Sequence, residues 1–449
     1  LHGNAASFLE RKAYIFLAGI LAVSFCLKIL LLIYLHQKDP ELLLTLDAEG
    51  YIRLAKTIIE TGTFSISPEL LGVPETIRTP GYPLFVALGY SLFGYSNVGV
   101  ILLQILISLL TIFFAFKIAL SLANKSIGVI TAGLMALDVL SFDFTIRIMA
   151  ETLFTFIILL IFLTGIKLIK TRGNLLYALI LGILTAAATQ IRPINYFLFV
   201  FLILFFAVYG LVKHWKAAKT ILCSVLILIP PIILIGGWQY RNYRLTGYSD
   251  FSTIANINMY FFRAAGITAL QEGKTLQEIQ KRFDYGTYYQ KLLDNKKKMP
   301  EILHEWNEAG LAIVKQHPWL LAKMQLKGMI SVIIRPGGSA ITHIFGYDLN
   351  MLQKDLSNSE IADMLGKPFK ISVYAALFYL FVLYAGIMSW FINLFKAKKI
   401  DSIYILLLAL AAYFILISGG PEGDSRFRIP IMPLLAIISA QGWGRVAGS

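Results

Sequence analysis

The sequence predicts an all-α polytopic membrane protein. Three observations predict it. Only 15% of the 449 residues are charged while 57% are hydrophobic, against about 25% charged in an ordinary soluble domain. Many windows of about 20 residues are nearly uncharged, the length a helix needs to cross a bilayer. Lysine and arginine gather in alternate loops, as they do where one side is cytoplasmic. The net charge of +14 suits basic cytoplasmic loops and an anionic substrate, and no soluble basic domain exists to hold nucleic acid. Cys26 and Cys223 lie inside apolar runs and read as small core residues. The sequence has no GxxxxGK[ST], no nucleotide-binding glycine fingerprint, no HExxH and no CxxC, so it carries no ATP-driven pump machinery and no zinc-protease motif.

Residues 1–8 do not begin with Met and are set aside as an expected scar or trimmed start. Arg11 and Lys12 precede the first apolar run, Tyr14–Leu35, which is interrupted by Lys28. Its basic start places Asp47 on the far side of the membrane. Residues 48–61 carry apolar positions at Tyr51, Ile52, Leu54, Ala55, Ile58 and Ile59, the spacing of a helix lying on the membrane surface. Gly62 ends it, Asp47 falls at its N-cap and Glu49 in its first turn. Residues 83–93 are apolar but too short to span, and read as an interfacial or re-entrant helix.

Spans are expected near 97–122, 126–143, 149–170, 174–192, 194–213 and 218–238, then near 371–395, 402–419 and 428–446. Their basic loops hold Lys117 and Lys125; Lys167, Lys170 and Arg172; Lys213, Lys216 and Lys219; and Lys396, Lys398 and Lys399. Residues 239–318 form the largest polar block, with helical pattern near 275–282 and 300–316. Residues 319–345 hold Lys323, Lys327, Arg335 and a Pro336-Gly337-Gly338 break, and read as interfacial or re-entrant. That gives about ten spans with both ends on one side; an eleventh with a flipped C-terminal half is the alternative. The expected organisation is an N-terminal transmembrane module (9–238) with its first outer loop (36–96), an extracytoplasmic helical region (239–370) and C-terminal transmembrane helices (371–449).

Ionisable groups near membrane depth are costly, so each needs a reason. They collect on one side: Asp47, Glu49 and Arg78; Asp138, Asp143, Arg147 and Glu151; Arg192; Arg241 and Arg244; and Glu422, Asp424, Arg426 and Arg428. Acids with several arginines there suit an outer cavity for an anionic headgroup. Each also has a structural reading. Asp47 and Glu49 satisfy a helix start. Asp143, Arg147 and Glu151 are spaced as an ion ladder. Arg192 before Pro193 can anchor a helix end, and the 296–298 lysine run is a solvated face. Asn124-Lys125-Ser126 matches a glycosylation sequon on the cytoplasmic side, by chance.

The order of motifs resembles the GT-C membrane glycosyltransferases, in the branch of protein O-mannosyltransferases and lipid A aminoarabinose transferases. The resemblance rests on Asp47-x-x-x-Tyr51, Gly62-x-Phe64, Arg78-Thr79-Pro80-Gly81-Tyr82-Pro83, Gln104, Ala136-Leu137-Asp138, Ala150-Glu151-Thr152, Arg192-Pro193, Arg241-Asn242-Tyr243 and Arg426-Phe427-Arg428-Ile429-Pro430. It runs over nearly the whole chain. Ala48 stands where some relatives carry a second acid, and Gly50 where aminoarabinose transferases carry a basic residue.

The resemblance implies a GT-C-like bundle of about ten to eleven spans. It implies an inverting hexosyl or pentosyl transferase in the bacterial inner membrane, active on the extracytoplasmic face in cell-envelope, lipopolysaccharide or glycan modification. The donor would be a sugar on polyprenyl (undecaprenyl) phosphate, and the acceptor a hydroxyl of a glycolipid, polysaccharide or protein. Asp47 would be the catalytic base with Glu49 beside it. Arg78, Arg192, Arg426 and Arg428 would bind the donor phosphate. Tyr51, Tyr82, Glu151, Arg147, Asp138 and Arg241 would contact substrate. No cofactor is expected; a divalent metal at Asp47 and Glu49 is the less favoured alternative. The rival function is a transporter or flippase of polyprenyl-linked sugars, and a third is a structural subunit without activity.

Overall fold

The structure is a computed structural model describing residues 2–66, 74–294, 298–349, 352–353, 356–398 and 400–446. Among these residues it is helical, with one isolated β-bridge, Ser65 to Pro74. The expected surface and spanning segments appear in order as α1 (His2–Lys38), α2 (Leu46–Thr61), α3 (Gly81–Phe93), α4 (Asn97–Leu122), α5 (Lys125–Leu137), α6 (Val139–Thr145), α7 (Glu151–Lys170), α8 (Leu175–Ile191), α9 (Leu198–Val212), α10 (Ala217–Pro231) and α11 (Gly237–Thr246).

Short polar side chains set the breaks. Ser96 caps α4 through Gly99 N–H, and Asn174 caps α8 through Leu176 N–H. The Asn124 side chain accepts from Ile127 N–H and starts α5, which gives the sequon asparagine a structural role. Asp138 closes α5 and caps α6, and the two helices meet at 60°. The expected straight span 126–143 is therefore a bent one. After Pro230 and Pro231 a π-helical turn, Ile232–Gly236, absorbs the missing backbone donors and continues into α11. The span expected to end at 238 runs on to Thr246.

The region after α11 forms α12 (Ile254–Ile257), a π turn (Asn258–Ala264), α13 (Ala265–Glu272), α14 (Leu276–Arg282), α15 (Tyr288–Asp294) and α16 (Met299–Gln316). It has a small core of its own around Ile257, Phe261, Leu292, Leu303 and Trp306. Residues 319–345 resolve into α17 (Pro318–Ile334) and α18 (Gly338–Ile344), broken at Arg335-Pro336-Gly337 as expected. Then come α19 (Asn358–Ala397), interrupted at Gly366, α20 (Ser402–Ile417), a 3-10 turn (Ser425–Ile431) and α21 (Met432–Val446). Lys296, Lys297 and Lys399 lie outside the described residues.

Seven helices are long and apolar enough to cross a membrane, and the bent α5–α6 pair makes an eighth. The 17 residues of α8 rise about 26 Å, close to the hydrocarbon thickness, and α8 packs between α7 and α10. α8 and α20 are shorter apolar helices standing where the sequence expects two further spans, and the chain is a multi-pass membrane protein. The bundle closes through small residues. A Cβ on Gly442 would lie 1.8 Å from the Gly386 carbonyl oxygen, so α19 and α21 touch backbone to backbone. Cys223 is buried but Cys26 faces outward on α1 and is no core residue. Lys28 is buried and donates to Ser108 Oγ at 2.8 Å.

Several residues expected at the site hold the fold instead. Arg428 is 1% exposed. Its Nη1 donates to the carbonyls of Val332, Ile333 and Arg335, closing the C-terminal end of α17. Asp138 Oδ2 accepts from Ser141 N–H and Oγ, while its buried Oδ1 has no hydrogen-bond partner. Asp143 pairs with Arg147 at 2.6 Å and with the His343 ring, and His343 Nε2 meets the Leu42 carbonyl at 2.6 Å. This joins α6 to α18 and to the 40–43 turn. Glu151 leaves the expected ladder and pairs with Arg192.

The Arg428 contacts give a test. Replacing the guanidinium by a side chain of similar length without donors, Arg428→Met, strands one buried and two partly buried carbonyls at a cost of about 3 kcal/mol. The detergent-solubilised variant should lose roughly 5 °C or more of apparent Tm. An unchanged Tm would return Arg428 to the list of ligand-binding groups.

Candidate active site

Thr45, not Asp47, is the N-cap of α2. Its hydroxyl accepts from Ala48 N–H, and the helix begins at Leu46. Asp47 and Glu49 both fall in the first turn, where the helix dipole favours anions. Two residues of helix turn a side chain by about 200°, so the two acids leave α2 in different directions. Glu49 points to solvent. Asp47 shares its face with Gly50 and Tyr51, and its side chain is 47% exposed.

Arg78 reaches this face from a braced segment. Glu75 is buried, and its carboxylate accepts from the N–H groups of Ile77 and Arg78 at 2.6 and 3.1 Å. Arg241 donates to the carbonyls of Glu75 and Phe64 at 2.6 Å each. Thr253 N–H holds the Thr76 carbonyl at 3.0 Å, and Ser252 Oγ holds that of Ile77 at 2.6 Å. Arg241, expected to touch substrate, is thus a brace for the loop. Arg78 Nη2 then stands 3.9 Å from Asp47 Oδ1, and its guanidinium lies 5.6 Å from the Tyr51 ring centroid. A Cβ on Gly50 would fall 2.2 Å from the Arg78 guanidinium carbon. Glycine there is the clearance that lets Arg78 lie along α2.

Arg426 approaches the other oxygen. Asp424 caps the 425–431 turn through Arg426 N–H, and Arg426 Nη1 stands 3.6 Å from Asp47 Oδ2. Behind it, Arg192 pairs with Glu151 at 2.6 Å. Both guanidiniums lie over Phe427, at 5.1 Å for Arg426 and 5.4 Å for Arg192. The floor is aromatic. Tyr51 meets Tyr82 edge-on at 4.7 Å, and buried Tyr82 donates to Gln104 Oε1 at 2.6 Å. Gln104 in turn donates to the carbonyls of Thr145 and Arg147. Burial, and next the Asp47 charge, hold the Tyr51 phenol well above the usual range, so it remains a hydrogen-bond donor.

The site therefore gathers Asp47, Arg78, Arg426, Arg192, Glu151, Tyr51 and Tyr82. Glu49, Asp138, Arg147, Arg241 and Arg428 take other tasks. Sequence reasoning met Gly50 and Phe427 only as motif positions, without their structural roles, and missed Glu75, three residues before Arg78. It also missed Tyr285 and Tyr288. Burial, and then the Asp47 charge, raise the Tyr285 phenol. Tyr288 is pushed up to about 12, by burial first and Tyr285 next. Asp47 lacks Glu49 as a partner and is flanked by two cations that would repel a dication. Among the described residues no cluster of three His, Cys, Asp or Glu could hold a metal.

The rim gives a pH test. Glu422 pairs with Arg263 at 3.7 Å, joining the 258–264 turn to the loop before Arg426. Burial raises its carboxyl above the usual range, opposed by its own backbone N–H and by Arg263. The folded protein keeps this proton to higher pH than the unfolded chain, so stability falls as pH rises from about 4.3 through the raised value. Glu422→Gln should show a higher apparent Tm than the native chain at pH 7.5 and no difference at pH 4. A native chain that gains stability across that window would reverse the assignment.

Residues 77–235 match the family model described as dolichyl-phosphate-mannose-protein mannosyltransferase. No curated protein matches the chain. Among solved structures, it is similar to the Archaeoglobus fulgidus oligosaccharyltransferase in complex with Zn and sulfate, with TM-score 0.52 and 14% identity over 96% of this chain and 49% of that one. The apo form of that enzyme gives TM-score 0.52 and 15% identity over 96% and 50%. ArnT from Cupriavidus metallidurans bound to undecaprenyl phosphate gives TM-score 0.39 and 12% identity over 97% and 78%. The chain spans about half the length of the archaeal enzyme. It thus resembles the GT-C membrane glycosyltransferases in fold along almost its whole length and, over residues 77–235, the protein mannosyltransferase branch in sequence.

Proposed function

We propose that the protein is an inverting glycosyltransferase that moves a hexosyl or pentosyl unit from a polyprenyl-phosphate donor to an acceptor hydroxyl. The observation that carries the reading is Asp47, half exposed between Arg78 and Arg426 at 3.9 and 3.6 Å. The matched family description supplies the donor class, a sugar on a polyprenyl phosphate.

Asp47 takes the proton of the acceptor hydroxyl. The oxygen attacks the anomeric carbon from the side opposite the phosphate, and the carbon–oxygen bond to phosphate breaks. The electron pair leaves with the polyprenyl phosphate, and the proton passes from Asp47 to solvent. The developing phosphate charge needs cations rather than an acid, and guanidinium forks suit its oxygens. Arg78 and Arg426 take that task. Arg192, held by Glu151, supports Arg426 across Phe427. Tyr51 donates from the floor.

The lipid tail enters along α3. Leu84, Leu88 and Leu92 are spaced by four and are 51%, 54% and 60% exposed, so α3 offers an apolar stripe beside the site. Lys117, Lys125, Lys167, Lys170, Lys213, Lys216, Lys219, Lys396 and Lys398 lie at the other end of the spans. By the positive-inside rule the reaction faces away from the cytoplasm, in keeping with a bacterial inner-membrane enzyme of envelope glycans.

Purified protein in detergent, given radiolabelled polyprenyl-phosphate sugars and a membrane extract, tests this. Turnover should fall about 10²–10⁴-fold in Asp47→Asn and about 10²–10³-fold in Arg78→Ala. Gly50→Ala should behave as Arg78→Ala does, and Glu49→Gln as the native chain. Activity should survive EDTA; loss on chelation would move Asp47 to a metal site. No turnover with any donor, alongside donor movement between liposome leaflets, would replace the transferase by a flippase.

A further inference from the structure

α17 is not among the helices long and apolar enough to cross the membrane. Two side-chain hydrogen bonds fix its depth against α19 and α20. Gln325 Nε2 donates to the Leu416 carbonyl at 2.5 Å, next to the C-terminus of α20, the end remote from Lys396 and Lys398. Tyr384 Oη donates to the Ile333 carbonyl at 2.6 Å, and Tyr384 lies midway along residues 371–395, the apolar part of α19. The eight residues from Gln325 to Ile333 rise about 12 Å. α17 therefore enters from the outer side and ends within the bilayer. Its inner face is pressed on the loop that leads to Arg426: a Cβ on Gly328 would fall 2.2 Å from the Gly420 carbonyl oxygen.

The outer face of α17 is uncovered. Trp319, Lys323, Leu326, Lys327, Ile330 and Ile334 follow one another at helical spacing, and all are exposed. Trp319 is 82% exposed, and Leu326, Ile330 and Ile334 are 57%, 46% and 57% exposed. The face is graded. The indole comes first, the ammoniums next at the level of Gln325, and the aliphatic groups last. That is the order of the bilayer from its interface to its hydrocarbon, and a protein partner imposes no such gradient. α17 carries no Asp or Glu, and among the described residues neither lysine has an ion-pair partner. Arg335 follows as the C-cap, turned about 100° from Ile334 and off this face.

We infer that the outer face of α17 binds an anionic phospholipid of the outer leaflet. The lipid phosphate sits between the Lys323 and Lys327 ammoniums, four residues apart on one face. Its acyl chains run down over Leu326, Ile330 and Ile334, and Trp319 stands at the headgroup. Two ammoniums are point charges without the fork of a guanidinium, so the site selects net negative charge rather than one headgroup shape. A zwitterionic lipid brings its own ammonium and leaves one lysine uncompensated. The bound lipid backs α17 where it presses on the 419–423 loop. Lipid binding here needs no sugar transfer, and it uses neither Asp47 nor the α3 stripe.

The test titrates the purified full chain in detergent with phosphatidylglycerol or phosphatidylcholine carrying brominated acyl chains, which quench indoles they touch. The quenching that disappears in Trp319→Phe reports this face alone. That part should appear at lower phosphatidylglycerol than phosphatidylcholine, and added salt should weaken it. Its midpoint should rise about fivefold in Lys323→Gln or Lys327→Gln and about twenty- to thirtyfold in the double variant. The double arginine variant should bind as the native chain does. So should Lys281→Gln, which removes an exposed lysine of α14. Both lysines are exposed, so an unchanged apparent Tm in lipid-free detergent shows that the variants fold. Equal midpoints for the two lipids would overturn the inference, as would a double glutamine variant that is quenched like the native chain. Displacement by glycerol phosphate alone would give the lysines to a soluble anion, and tighter binding of polyprenyl phosphate through them would give the face to the donor. A dimer that dissociates in the double variant would give it to a second copy of the chain. Each of these three results rejects the phospholipid.

Discussion

The structure turns on a carboxylate held between two arginines that do not close on it. Asp47 meets Arg78 at 3.9 Å and Arg426 at 3.6 Å, both longer than the reach of a charge-assisted hydrogen bond. Arg78 also lies 4.0 Å from the buried Glu75 carboxylate, so two acids face the two arginines. The neighbouring pairs are different. Arg192 with Glu151 and Arg147 with Asp143 meet at 2.6 Å and neutralise one another. The closed pairs beside Asp47 hold the neighbouring segments in place, while the Asp47 side chain itself stays 47% exposed.

Three distant parts of the chain must converge for this. Thr45 starts α2, Glu75 and Arg241 brace the approach of Arg78, and Asp424 caps the turn that presents Arg426. None of these supports carries chemistry. Each satisfies backbone groups that would otherwise be stranded near membrane depth, where an unpaired donor or acceptor costs several kcal/mol. The same economy explains Arg428, which spends one nitrogen on three carbonyls of α17.

Much of the fold was legible because it depends on local rules. Hydropathy marks the spans, and Pro-Gly pairs mark the breaks near 80 and 336. The bend at Asp138 was not legible. One aspartate ends α5 and begins α6, and hydropathy is blind to a turn made inside an apolar run. At the site, Asp47, Arg78, Tyr51 and the arginine of 426 were legible as costly polar groups in motif order. Arg241, Arg428 and Asp138 looked the same in sequence. An arginine that holds carbonyls and one that faces a carboxylate both belong at a membrane boundary, and only the distances to their partners separate them. Tyr285 and Tyr288 gave no signal, because an aromatic at the edge of a small core has the same spacing as one inside it.

The spacing within α2 ties these strands together. Positions 47, 50 and 51 share one helix face by the i, i+3, i+4 rule. The first is the carboxylate, the second is a glycine and the third is the aromatic floor. A Cβ at 50 would meet the Arg78 guanidinium, the far end of a flexible side chain, so a larger residue there requires the cation to shift from its place beside Asp47 and Tyr51. Glu49, one position from that face, is left in solvent. The face therefore admits one acid and excludes the second, and a guanidinium fills the gap the glycine leaves. Helix spacing sends Glu49 outward and the glycine at 50 lets Arg78 lie close, so on this helix Asp47 faces guanidiniums.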